Sequence, residues 1–223
     1  MEGLLRPVRI YEIGAQFSAS EPAPAESYVE MLQLAYEAAH EADDRVQIAH
    51  AGFVTTGAFD DHPGPGDYEA AFAANARLKA TEQAQHLGRW VLGEDSGLMV
   101  DALDGAPGVL SARYSGPDAT DASNNRLLLD RLGTTPLERR AARYICHMTL
   151  SDPAGTVCAE SEAACRGRIV FLPQGSLGFG YDPLFEIVEY HRTFGQLDPV
   201  VKACLSHRAR AARRLIPAIL KLL

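Results

Sequence analysis

Long apolar runs are missing from this sequence. None approaches the roughly 20 residues needed to span a bilayer, and Met1 to Pro7 lacks the basic start and apolar stretch of a secretory signal. Cysteine is scarce. Cys146, Cys158, Cys165 and Cys204 form no C-x-x-C pair, so they read as reduced core thiols of a cytoplasmic protein, against a disulfide or zinc site. Basic residues are scarce at the front: residues 1–70 hold 3 Lys/Arg against 13 Asp/Glu, a balance of -10 inside an overall -8. An acidic chain is a poor general binder of nucleic acid, whose backbone is held by Lys and Arg. If the protein handles a small polyanion, it needs a metal ion or a local basic cluster.

What is present is a chain of 223 residues and 24.1 kDa, 47% hydrophobic, long enough to bury a core without staples. The remainder beyond residue 70 is +2, and the last 22 residues carry six basic groups and no acidic one. Val8–Ile13 and Arg45–Phe53 read as strands on either side of a capped helix at Ser27–Asp43. Asp60–Asp67 holds two prolines and two glycines and reads as a loop. Tyr68–Leu87 places Phe72, Ala76, Ala80, Ala84 and Leu87 on one helical face, and Gly88 stops it. Trp90–Gly93 predicts a short strand, Leu98–Leu103 an apolar stretch, and Ser123–Leu132 a helix. Arg143–Ser151 and Thr156–Ala164 predict a hairpin around Asp152 to Gly155, with a further strand at Arg168–Leu172. Ser206–Leu223 predicts a basic amphipathic helix bent at Pro217. The fold class is α/β: a mixed β-sheet flanked by helices, in two lobes with an active-site cleft between them.

Three stretches place polar groups and glycines where a core would not. Glu94-Asp95-Ser96-Gly97 sets two carboxylates together after a strand, which suits a hard cation, or merely a turn capped by Asp95. Gly178-Phe179-Gly180-Tyr181-Asp182-Pro183 lets backbone approach a flat ligand on which Phe179 stacks, or is simply a tight loop. Lys202 with Ser206-His207-Arg208 makes a donor-rich corner for phosphate or carbonyl oxygens, or a Ser206 N-cap with solvated basic groups behind it.

Taken together, these stretches resemble a known family. Glu94 to Leu98, Asp104-Gly105-Ala106-Pro107-Gly108-Val109 and Ser111 to Gly116 follow Phe72, Asn75-Ala76 and Lys79-Ala80, and precede Gly178–Pro183, Lys202 and Ser206 to Ala209. Their order is similar to that of the non-canonical purine nucleoside triphosphate pyrophosphatases, the XTP/dITP (inosine triphosphate) family. The match runs from about Asp67 to Ala212. It implies cleavage of ITP, dITP and XTP between the α- and β-phosphates with Mg²⁺, in a homodimer. It makes Asp95 the catalytic carboxylate, binding Mg²⁺ or orienting water, with Glu94 beside it. Asp67 or Glu69 supplies the second acid, Asp67 at the better spacing. Lys79 faces the phosphates and Ser96 touches substrate. Phe179, Gly180, Tyr181 and Asp182 hold base and sugar, and Lys202, His207 and Arg208 close over the base. His207 and Arg208 present donors to a 6-oxo group, which adenine lacks.

The family's opening T-G-N-x-x-K loop is absent. After the first strand the chain reads Gly14-Ala15-Gln16-Phe17-Ser18, and no Lys or Arg follows Arg9 until Arg45. Ala71 and Ala74 stand where the T-F-x-E-N-A helix has Thr and Glu. The chain therefore reads as one domain over 1–223, divergent over 1–66 and family-like over 67–223. Beside an active enzyme stand two other readings: a degenerate binder of purine nucleotides, and a related pyrophosphatase of shifted specificity.

Overall fold

The computed structural model describes residues 11–13, 49–51 and 68–222. The strands are β1 (Tyr11–Ile13), β2 (Ala49–Ala51), β3 (Val91–Val100), β4 (Ala141–Ser151), β5 (Val157–Ile169), β6 (Phe185–Ile187) and β7 (Arg192–Thr193). They form one seven-stranded sheet in sequential order. β1, β2 and β3 run parallel, with Ile13, Ala51 and Gly93 in register. From β3 onward every pairing is antiparallel. The helices are α1 (Tyr68–Leu87), α2 (Asp121–Leu132), α3 (Pro199–Leu205) and α4 (His207–Leu222). The mixed α/β class predicted from the sequence holds. The predicted helix at Ser27–Asp43 and the loop at Asp60–Asp67 lie outside the described residues.

Helix α1 buries Phe72, Ala76, Ala80 and Ala84, as its spacing predicts. It lies directly on β3, because Gly93 offers no side chain: a Cβ there would stand 2.4 Å from the Ala76 carbonyl oxygen and 2.6 Å from the Ala80 nitrogen. Odd-numbered residues of β3 face α1, where Met99 packs with Phe72 and Ile145. Even-numbered residues face α4. There Leu92, Cys146, Met148 and Leu150 pack against Ala211, Ala212 and Leu215. Further along the same face, Leu98 and Val100 join Tyr144, Phe185 and Phe194 in a second, larger cluster. Between these two apolar clusters β3 contributes Glu94 and Ser96, a polar break in an otherwise apolar face.

Two strands differ from expectation. β3 is continuous for ten residues, so Glu94 to Gly97 is mid-strand, not the turn after a short strand. Helices cover both sheet faces and supply a cation to each carboxylate, which removes the need for solvent that a turn would meet. β5 runs unbroken for 13 residues, uniting stretches read as two strands around Arg166-Gly167. Gly167 is kept in the strand by the close approach of β6, since a Cβ there would lie 2.3 Å from the Glu186 carbonyl oxygen. Pro217 lies inside α4 as predicted. Among the described residues no helix is long and apolar enough to cross a membrane.

Candidate active site

Asp95 projects toward α1. One turn apart on that helix, Asn75 and Lys79 reach it. The Lys79 ammonium donates to Asp95 Oδ1 at 2.5 Å and to the Glu94 carbonyl oxygen at 2.9 Å, while Asn75 Nδ2 donates to Asp95 Oδ2 at 3.1 Å. Lys79 is buried and Asp95 largely so, with side chains 8% and 16% exposed. Burial nevertheless pushes the Asp95 carboxyl above its ordinary range, outweighing Lys79 and Asn75. The group is thus a stronger base than an exposed aspartate.

Register extends this face sideways. His147 on β4 lies opposite Asp95, and Glu162 on β5 lies opposite His147. His147 Nε2 stands 3.4 Å from Glu162 Oε2 without a proper hydrogen bond. Burial lowers the His147 pKa despite the surrounding carboxylates of Glu162, Glu69, Asp95 and Glu160. Glu69, one of the two candidates for the second acid, instead pairs with Arg143 at 2.9 Å, and Arg143 also reaches Asp101 at 3.2 Å. Asp67 lies outside the described residues.

Glu94 departs from its expected place beside Asp95. Adjacent residues of a strand leave on opposite faces, and the Glu94 carboxylate points toward α4, where Arg208 Nε donates to its Oε1 at 2.9 Å. Arg208 Nη2 donates to Ser96 Oγ at 2.7 Å. The Cys146 thiol donates to the same Glu94 oxygen at 3.6 Å. In this arrangement the side chains of Glu94 and Asp95 do not converge on one ion.

The predicted aromatic loop meets the Arg208 side. Phe179 is 44% exposed. Lys202 Nζ sits 4.3 Å and Arg208 Cζ 5.5 Å from its ring centre, within cation–π reach. Beneath it Asp182, 2% exposed, accepts from Lys202 and from the Phe179 amide, the latter at 2.8 Å. Burial raises the Asp182 pKa against the pull of Lys202. Gly180, at φ +59°, is held from both sides by α2: its amide donates to Asp121 Oδ2 at 2.6 Å and its carbonyl accepts from Asn125 Nδ2 at 2.9 Å. Tyr181 corrects the expectation of a base contact. It is 3% exposed, packs in the larger apolar cluster and donates its hydroxyl to the Ser111 carbonyl at 2.8 Å, so its side chain serves the core.

His207 opens α4, behind Ser206, whose hydroxyl accepts from the Ala209 amide at 3.2 Å as an N-cap does. The His207 ring stacks on Tyr144, with centroids 4.8 Å apart and planes at 8°. Its Nδ1 is buried without a hydrogen-bond partner. Burial first, and then the Arg208 charge, hold its pKa well below the usual imidazole value. His207 is therefore neutral at physiological pH, with one nitrogen to spare.

Sequence reading gave no role to Asn75, Asp121, Asn125 or His147. The i, i+4 spacing of Asn75 to Lys79 was the available signal for the first. The others depend on strand register or on a turn meeting a distant helix. Among the described residues no three His, Cys, Asp or Glu side chains gather as a metal site. The Asp95 carboxylate, an oxygen donor held on the α1 face, has the chemistry of a group that binds a hard cation with water and phosphates completing the shell.

Seven strands, helices on both faces and a polar break at mid-strand define the class: a mixed α/β protein with the fold of the Ham1 proteins. The HAM1 protein of Coxiella burnetii superposes with a TM-score of 0.71 at 29% identity, over 96% of this chain and 99% of that one. A dITP/XTP pyrophosphatase from Mycobacterium abscessus superposes at 0.66 and 33% identity, over 95% and 100%. By sequence, a dITP/XTP pyrophosphatase of Rhodopirellula baltica is 58% identical over 151 residues, 68% of this chain and 73% of the relative. One from Cutibacterium acnes is 41% identical over 180 residues, 80% and 85%. The Ham1 family model matches residues 33–218, and the chain belongs to the Ham1 family.

Proposed function

We propose that the protein hydrolyses non-canonical purine nucleoside triphosphates (ITP, dITP and XTP) to the monophosphate and pyrophosphate. The single observation that carries this reading is the two-sided strand β3. On one face stands a buried carboxylate with a lysine, on the other an arginine facing an exposed phenylalanine.

The base lies against Phe179, within reach of Lys202, Arg208 and His207. The Arg208 guanidinium donates to a 6-oxo group, with the neutral His207 imidazole packed behind it on Tyr144; the 6-amino group of adenine would leave that donor facing a donor. At the other end Asp95 orients a water and takes its proton. The water oxygen bonds to the α-phosphorus, the bridging P–O bond to the β-phosphate breaks, and the electron pair leaves with pyrophosphate. Lys79, now on Asp95, exchanges that partner for phosphate oxygens. Asp95 would hold Mg²⁺ with water and phosphates, joined by Asp67 on the strength of the family resemblance. The ion, when bound, neutralises charge on the phosphate oxygens. The resemblance extends the proposal to a homodimer, which sedimentation equilibrium tests.

Pyrophosphate release from ITP, XTP, GTP and ATP with Mg²⁺ is the decisive assay. ITP and XTP are expected to turn over far faster than ATP, and Asp95→Asn to lose about 10³-fold in kcat, the scale of a lost general base. Equal rates on ATP and ITP would sink the base-recognition argument. Full activity of Asp95→Asn would remove Asp95 from its role.

A further inference from the structure

We infer that Glu94 positions Arg208 for purine recognition rather than serving the metal, so that base reading is anchored on the strand that carries the reacting carboxylate. The inference rests on the reading of Arg208 as a base-binding group and assigns the residue that aims it.

Glu94 and Ser96 are two residues apart on one face of β3, and the Arg208 guanidinium spans them: Nε to Glu94 at 2.9 Å, Nη2 to Ser96 at 2.7 Å. Two hydrogen bonds from different nitrogens of a planar group fix its plane as well as its place. That plane lies over Phe179, with Cζ 5.5 Å from the ring centre. Glu94 is 7% exposed, and the Cys146 thiol on the neighbouring strand also donates to its carboxylate. A carboxylate so enclosed is a fixed anchor. The backbone of the same residue faces the other way, its carbonyl accepting from Lys79 at 2.9 Å. One residue thus touches the arginine of the base end through its side chain and the lysine of the phosphate end through its main chain. Loss of the charge at position 94 frees the guanidinium to turn while Asp95, Lys79 and Asn75 keep their geometry.

The test separates binding of the base from metal chemistry by using inosine monophosphate without metal, followed by calorimetry. Glu94→Gln keeps the size of the side chain and removes its charge. It is expected to weaken this binding roughly tenfold, the scale of one charge-assisted hydrogen bond, and to raise KM for ITP by a similar factor while kcat changes little. Arg208→Ala is expected to weaken binding at least as much, and the double variant no further, because both changes remove one interaction.

If Arg208→Ala weakens binding while Glu94→Gln does not, the positioning role is overturned and the base-end reading stands. If Arg208→Ala binds like wild type, the reading of Arg208 itself is wrong. If Glu94→Gln lowers kcat and Mn²⁺ affinity of the nucleotide complex, as Asp95→Asn does, Glu94 is a metal ligand and the inference fails. Should Glu94→Gln melt below assay temperature, Ser96→Ala removes the other anchor of the same guanidinium. A several-fold loss of monophosphate affinity is expected from it, and unchanged affinity would count against the inference.

Discussion

Glu94 and Asp95 are neighbours in sequence and of like chemistry, yet they occupy opposite sides of the sheet and hold different cations. Asp95 is matched by a lysine from α1 and Glu94 by an arginine from α4. The difference shows how one strand serves two tasks: period-two alternation converts an adjacent pair into two separate sites. The end proposed for the phosphates is tight and largely buried, whereas the end proposed for the base presents an exposed ring. Variants of the two ends are therefore expected to fail differently.

The largest expected effect lies at the phosphate end. Lys79→Met leaves the Asp95 carboxylate buried without its cation and is expected to destabilise the fold by roughly 3 kcal/mol, as breaking a buried pair does. It is also expected to lower kcat, which denaturant melts and steady-state rates would read separately. An unchanged melt would mean that water reaches Asp95 freely. At the base end, Phe179→Ala is expected to raise KM for ITP by roughly tenfold, the scale of one base–aromatic stack, with little change in melting because the ring is exposed. A kcat effect equal to the KM effect would erase the contrast between the ends. Smaller again is the loss from Asp121→Ala, which releases one side of the Gly180 turn. A rise of a few-fold in KM is expected, and none at all would show that the turn holds Phe179 unaided.

The smallest effect is on stability against pH. His207 and, less strongly, His147 have pKa values lowered by burial. The unfolded chain therefore takes up protons that the folded chain refuses as pH falls below about 6.5. Stability is full well above that value and declines as pH falls through it towards the lowered pKa of the folded state, and His207→Gln is expected to flatten the decline in thermal melts. Asp95 and Asp182, raised by burial, act with the opposite sign at lower pH, where the folded state is protonated first.

The helices were the most legible part of the sequence. The alanine face of α1 and the Ser206 cap ahead of α4 appear where local pattern placed them, because both depend on contacts a few residues apart. Glu94-Asp95-Ser96-Gly97 has the composition of a turn, so local pattern alone ends β3 at Gly93. Only the cations brought by distant helices allow it to remain a strand. β5 was split at Arg166-Gly167 for a similar reason, its glycine being required by β6 rather than by a turn. In the site, residue types were readable and their directions were not. The family pattern assigns Asp95, Lys79, Phe179 and Arg208 to the site without saying which way their side chains point. The turn of Glu94 toward α4 and the burial of Tyr181 follow from strand register and from packing on Ser111, neither of which is written locally.

The parallel register of the first three strands carries a consequence for engineering. The chain leaves β1 after Ile13 and β2 after Ala51 level with Gly93, two positions ahead of Asp95 along the catalytic strand. The sequence that follows Ile13 carries no Lys or Arg until Arg45. A lysine introduced directly after Ile13 would therefore start from a strand end level with Gly93, and a gain in kcat on ITP is the readout of such a graft.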